Sequence, residues 1–342
     1  MPRLLRTAAI LIFAGCTTAG SRHVNETAVD EIMRAYAGDQ PGASVLVFQD
    51  GQVVFRRAYG LADVNRGIAA TTATNYRLAS VTKQFTAAAI LRLAEQGKLS
   101  LGDPVRRFLP SLPSETDAVT IRHLLTHSSG IVDYEDVMPQ GAGAQLLDRD
   151  VLTILESQRS TYFPPGSSYQ YSNSGYALLA LIVEKASGTS FADFLREEIF
   201  LPLGMNDTVA HQEGVSTVAR RAFGHPADQS STSAVLGDGG VYSSVDDLAR
   251  WLAALDRGIF ADAAIPRVTT SDPKVQYGYG WRISEHDGRR VVMHTGETIG
   301  FRNALVRFPG DRLAVVVLTN RDEGKPLDLA LRISALWLRS AG

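Results

Sequence analysis

From Ser80 to Gly97 the chain reads as a helix with almost no polar face: Val81, Phe85, Ala88, Ala89, Leu91 and Leu93 surround its axis, and Gly97 supplies a stop. A helix of that kind has to be buried. With 342 residues, 45% of them apolar and 20% charged, the chain can enclose it in one large domain or two intimate ones.

Strand patterns lie towards both ends. Residues 43–48 and 53–55 flank Asp50-Gly51, a dipeptide suited to a tight hairpin turn. Residues 278–283, 290–294, 301–308 and 313–318 carry Val, Phe, Tyr and Trp between Gly and Asp-Gly breaks. Helical patterns occupy 25–37, 174–187, 244–255 and 327–338, and long Pro/Gly/Ser-rich connections fill much of 98–235. This order predicts an α/β (α+β) fold. One sheet domain is built from 24–79 and 236–342, and a helical domain, 80–235, is inserted between them.

Lys+Arg number 34 against Asp+Glu 36, a formal charge of −2, so no basic field exists to hold nucleic acid. The single cysteine, Cys16, excludes an internal disulfide framework and a Cys-based zinc site. Ahead of it, Arg3 and Arg6 precede a short apolar run ending in Phe13, Ala14 and Gly15, the layout of a secretory signal peptide over residues 1–15. That run is too short to span a bilayer.

No Gly-x-Ser-x-Gly elbow, His-Glu-x-x-His helix, Walker loop or Gly-x-Gly-x-x-Gly fingerprint occurs, and the seven histidines show no local pairing at metal-ligand spacing. What does occur is Ser80-Val-Thr-Lys83 at the start of the buried helix. Residues three apart share a helix face, so the Lys83 amine can reach the Ser80 hydroxyl and act as its base. At the helix start, the Ser80 N–H is also available to a developing oxyanion. The spacing alone is weak, because Ser271-Asp-Pro-Lys274 repeats it in a loop, and an N-capping Ser with a snorkelling Lys explains it equally. Two further elements add weight. Tyr171-Ser-Asn173 offers a phenol that can carry a proton and an amide that can hold a substrate. His294-Thr-Gly296 ends a predicted strand, where Gly296 admits substrate close to the backbone.

In this order the three elements resemble the penicillin-binding protein and serine β-lactamase superfamily, in its class C-like branch. Pro41-Gly-Ala-Ser44, His123-Leu-Leu-Thr-His-Ser-Ser-Gly130, Gly237-Asp-Gly-Gly-Val-Tyr-Ser243 and Tyr277-Gly-Tyr-Gly-Trp281 extend the likeness along the chain. The resemblance implies a mostly antiparallel sheet flanked by helices, an all-helical domain, and a cofactor-free serine hydrolase or acyl transferase. In it Ser80 is acylated, Lys83 and Tyr171 move protons, and Asn173 orients the acyl group. His294 and Thr295 bind the far side of the substrate, and the N–H groups of Ser80 and Glu297 form the oxyanion hole. The third motif, His-Thr-Gly, is similar to that of secreted DD-carboxypeptidases and varies among the related carboxylesterases, whereas class C β-lactamases carry Lys-Thr-Gly.

Three expectations follow from these residues. The substrate is a small molecule or peptide, best a D-amino-acid peptide or small ester, with a β-lactam or a silent wall-peptide-binding role as alternatives. His294, with an ordinary pKa of about 6.5, gains charge in mild acid and meets a substrate carboxylate. Glu297 either shares the substrate face with Thr295 and repels acidic substrates, or turns to solvent at a bend in the strand.

Ala14-Gly15-Cys16 also resembles a lipoprotein processing site, which implies an exported protein held in the periplasm by a lipid on Cys16, its sole contact with a membrane. Cys16→Ser should then move the protein from the membrane fraction to the soluble fraction with unchanged activity of the folded domain. A wild-type protein that is wholly soluble after export contradicts this.

Overall fold

The computed structural model describes residues 18–139, 145–260, 263 and 265–338, with side chains from residue 25 onwards. Cys16 and the predicted signal segment, residues 1–15, lie outside the described residues. Among the described residues no helix is long and apolar enough to cross a membrane.

The large sheet has eight antiparallel strands: β1 (Ala43–Gln49), β2 (Gln52–Tyr59), β3 (Val268–Thr269), β4 (Gln276–Tyr277), β5 (Arg282–His286), β6 (Arg289–Thr298), β7 (Phe301–Phe308) and β8 (Leu313–Thr319). Their spatial order is β2-β1-β8-β7-β6-β5-β4-β3, so strands from both ends of the chain meet at the β1–β8 pair. Asp50 and Gly51 both take positive φ, +51° and +79°, as the tight turn between β1 and β2 requires.

Side-chain alternation divides the sheet between two cores. Val45 and Val47 of β1 and Val315 and Val317 of β8 pack with Val29, Met33, Ala330 and Ile333. These last four come from α1 (Thr18–Ile32), the residue after it, and α5 (Pro326–Ala335). Leu46, Phe48, Val316 and Leu318 face the other way, into the core that holds α2 (Lys83–Glu95), α3 (Asn173–Ser187) and α4 (Val245–Asp256). Each such side chain contributes about 1.5–3 kcal/mol through burial. Both strands are apolar on each face because helices cover each face.

The apolar helix is enclosed as its composition requires. Ten of the thirteen residues of α2 are buried, and Phe85 lies between Trp251 and Phe200 at ring-centroid distances of 4.8 and 5.3 Å. Two departures from the sequence reading stand out. The first helix stops at Ile32 and gives way to a 3-10 turn, Arg34–Tyr36, instead of continuing to residue 37. The span 80–235 is not all-helical: Val209–Ala210 pairs with Val241–Ser243, which pairs in turn with Tyr76–Arg77. This small ribbon ties the segment before Ser80 to the end of the helical span.

Candidate active site

Ser80 lies in a 3-10 turn, Ala79–Thr82, that runs into α2. Ala79 takes φ +49°, a left-handed conformation that costs a non-glycine residue energy and turns the chain sharply just before Ser80. The turn is held on two sides. Leu78 N–H donates to the Val241 carbonyl at 2.8 Å, and Asn303 Nδ2 on β7 donates to the Arg77 carbonyl at 2.8 Å. Ser80 is half-buried, whereas Lys83 is 0% exposed.

The Lys83 Nζ meets three acceptors: Ser80 Oγ at 3.2 Å, Asn173 Oδ1 at 2.8 Å and the Asp238 carbonyl at 2.9 Å. A buried ammonium needs such partners, because removing its water without replacement costs several kcal/mol. The faces of Tyr171 and Tyr176 complete the shell, with ring centroids 5.0 and 5.4 Å from Nζ. In its neutral form the same nitrogen is within reach of the Ser80 proton. The Asp238 carboxyl accepts from Tyr134 Oη at 3.0 Å; burial raises its pKa to about 7, against the pull of Lys83.

Asn173 begins α3, where Ser172 Oγ caps Gly175 N–H and Asp133 Oδ2 accepts from Asn173 N–H at 2.5 Å. The other oxygen of Asp133 accepts from Glu135 N–H at 3.1 Å, which places Glu135 beside Asn173; Glu135 is exposed, and its pKa is raised by local loss of water and by Asp133 beside it. The Tyr171 hydroxyl is buried and has no hydrogen-bond partner among the described residues. Ser80, Lys83 and Asn173 are thus joined directly, with Tyr171 packed over them.

The third motif departs from the sequence reading in three ways. His294 lies inside a ten-residue strand, β6, not at its end. Its Nε2 meets Tyr277 Oη at 3.0 Å and its Nδ1 meets the Thr295 carbonyl at 2.6 Å, so both ring nitrogens are used within the protein. Burial, with Arg282 and Lys83 nearby, lowers its pKa to about 3, and the ring is neutral in mild acid instead of charged. Gly296 is pressed against the turn that carries Ser80: a Cβ there would lie 2.0 Å from the Leu78 carbonyl oxygen, so its small size seats β6 on the turn. Glu297 is 71% exposed with its Oε2 3.9 Å from Arg302 Nε, which turns its charge towards solvent and a guanidinium. Thr295 is half-buried between them. Pairing between β5 and β6 stops at Arg282 and Met293, so the edge from His294 to Thr298 has no strand beside it there.

The sequence reading missed a cation. Arg282 is half-buried with its guanidinium 5.5 Å from the Tyr171 ring centroid, and its Nε has no hydrogen-bond partner. Among the described residues no carboxylate pairs with it. Its position twelve residues before His294 carries no motif; a strand position ending beside the motif is the one available signal. The spare match, Ser271 and Lys274, lies in an exposed turn.

The chain matches the Beta-lactamase family model over residues 27–336. It is 32% identical over 321 residues to penicillin-binding protein 4* of Bacillus subtilis, covering 85% of this chain and 71% of that protein. It is 31% identical to the D-aminopeptidase of Gluconobacter oxydans, covering 86% of this chain but 58% of that protein, so it spans under two thirds of that relative's length. An octameric penicillin-binding protein homologue from Pyrococcus abyssi superposes with a TM-score of 0.79 and 29% identity, covering 92% of this chain and 77% of that one.

Neutral burial of His294 has a measurable sign. Unfolding releases a ring that binds a proton below about 6.5, while the folded ring resists protonation down to about 3. Stability is therefore lost as pH falls through that interval, by up to about 1.4 kcal/mol per pH unit. The fall in Tm between pH 7 and pH 5 should be shallower in His294→Gln than in wild type; parallel slopes contradict the assignment.

Proposed function

Because the chain belongs to the Beta-lactamase family and is a serine hydrolase, we propose that it hydrolyses amide or ester bonds of short D-amino-acid substrates that carry a free amine. The observation that carries this reading is the exposed Glu135 carboxylate next to Asn173: Asp133 accepts from the N–H groups of both residues, and Asn173 Oδ1 is 2.8 Å from the Lys83 amine. An acid at that position provides a counter-charge for a substrate ammonium next to the bond that Ser80 attacks. The preference for D-amino acids is supported by the D-aminopeptidase likeness. Arg282, against the Tyr171 ring and without a carboxylate partner among the described residues, offers its guanidinium to a leaving group that bears a carboxylate. A carboxylate and a guanidinium at one site suit a short peptide with both termini free.

In the reaction we propose, Ser80 Oγ attacks the carbonyl carbon as its proton passes to neutral Lys83 Nζ. The C–N or C–O bond breaks, the leaving amine or alcohol takes up that proton with Tyr171 as relay, and Ser80 holds the acyl group as an ester. Water then attacks the ester, giving a proton back through the same groups and releasing the acid. The N–H groups of Ser80 and Glu297 stabilise the oxyanion at each addition step. A β-lactam is the less fitting substrate, because its acyl side chain is ordinarily an uncharged amide that leaves Glu135 without a partner. The lipid anchor at Cys16 would hold this activity at a periplasmic membrane surface.

Comparing D-alanine p-nitroanilide with its N-acetyl derivative tests this. Glu135→Gln should raise KM for the free amine by about tenfold, the worth of one lost charge-assisted contact, and leave the N-acetyl compound unchanged. Equal effects on both compounds, or a wild-type preference for the acetylated one, would refute the free-amine reading.

A further inference from the structure

His127 lies within the His123–Gly130 stretch, which the mechanism above does not use. Its imidazole is 1% exposed and at the centre of the aromatic wall of the site. The ring centroid is 4.3 Å from that of Tyr171, with the two planes tilted by 34°, and 4.6 and 5.1 Å from those of Tyr277 and Tyr176. Two hydrogen bonds connect His127 to the loop that carries Tyr171. Gln170 N–H donates to the His127 carbonyl at 2.9 Å, and Ser172 N–H donates to His127 Nδ1 at 3.1 Å. The loop is therefore held on both sides of Tyr171 by the same residue. His127 itself takes φ +57°, a conformation that His and Asn accept more readily than most side chains.

The chemistry of the ring suits a fixed support. Because Nδ1 accepts a hydrogen bond, the neutral ring carries its proton on Nε2, which has no partner. Burial keeps the ring neutral, and the charged or ionisable groups around it, Lys83, His294 and Arg282, act in the same direction. The Tyr171 hydroxyl makes no hydrogen bond among the described residues that could orient it. The position of the phenol must come from its backbone and from the groups packed on it; His127 holds the backbone on both sides and gives the shortest of these contacts, ahead of Lys83 and Arg282.

We infer that His127 is a positioning residue that clamps the Tyr171–Asn173 loop against Lys83 and thereby sets the rate of proton movement at Ser80. This rests on the reading that Tyr171 takes part in the chemistry. Misplacing such a group by about 1 Å costs on the order of 100-fold in rate.

The test uses the full chain with p-nitrophenyl acetate as probe, measuring kcat, KM and Tm for His127→Ala, His127→Asn, His127→Phe and Tyr171→Phe. Asn tolerates the positive φ and places an amide oxygen close to Nδ1, whereas Phe keeps the ring face and loses the acceptor. His127→Ala should lower kcat by about 10- to 100-fold with KM nearly unchanged, and His127→Asn should recover at least about tenfold of that loss. His127→Phe should remain low. The inference is overturned if His127→Ala keeps kcat within about threefold of wild type, or if Asn and Phe variants of wild-type Tm have equal kcat. Should His127→Ala fail to fold, the Asn and Phe pair decides alone. Tyr171→Phe separates the premise from the inference: full kcat in that variant removes the role of Tyr171, whereas loss of kcat there with an active His127→Ala removes only the role of His127.

Discussion

A fully buried lysine amine has to be given acceptors, and much of this molecule is arranged to supply them. Lys83 Nζ draws one from the 3-10 turn before its own helix, one from the start of α3 and one from the turn at Asp238, at 2.8 to 3.2 Å. Each comes from a different part of the chain, so the amine can be satisfied only when α2, α3 and the 236–239 turn are all docked. The ionic shell and the hydrophobic core are consequently interdependent. Phe85, Ala88 and Leu91 bury the helix, and that burial makes the three hydrogen bonds obligatory.

The large sheet serves the same end from the opposite side. Its β6 strand runs past the last β5 pair and lies against the Leu78–Ala79 segment, a contact close enough that only glycine fits at position 296. Ala79 is held in a left-handed turn by this packing and by the Leu78 and Asn303 hydrogen bonds. The energy for that strain comes from strands whose two faces are both covered, one by α1 and α5 and the other by the helical core. Ser80 is therefore positioned by a junction between sheet and helices.

Local geometry explains which parts of this were legible beforehand. Ser80 and Lys83 meet because residues three apart on a helix face each other, and Tyr171 and Asn173 follow from a short pattern at a helix start. The first antiparallel hairpin was readable from Asp50-Gly51 and the later strands from their Val-, Phe- and Tyr-rich runs, whereas the mostly antiparallel sheet as a whole was implied by the family resemblance. Residues whose roles depend on distant closure were not readable. The Asp238 carbonyl reaches Lys83 across 155 positions and, being backbone, leaves no side-chain signature. Arg282 becomes noticeable only once the start of β5 is placed beside Tyr171. His294 was misread for a related reason: a histidine on a strand invites a charged role, but Tyr277 and the Thr295 carbonyl occupy both its nitrogens and burial keeps it neutral. His127 was inside a quoted motif, yet its contacts with Tyr171 and Ser172 arise from a loop more than forty positions away.

The central claim is that Ser80, activated by Lys83, forms the covalent acyl-enzyme. Intact-mass measurement after exposure to a fluorophosphonate, followed by peptide mapping, tests it most directly, since attack by the activated oxygen expels fluoride and leaves a stable phosphonyl ester. The account predicts a single adduct on the peptide containing Ser80, lost in Ser80→Ala and strongly slowed in Lys83→Arg, whose guanidinium cannot accept the serine proton. An adduct located on another residue, such as Ser271, or one that persists in Ser80→Ala, would contradict it.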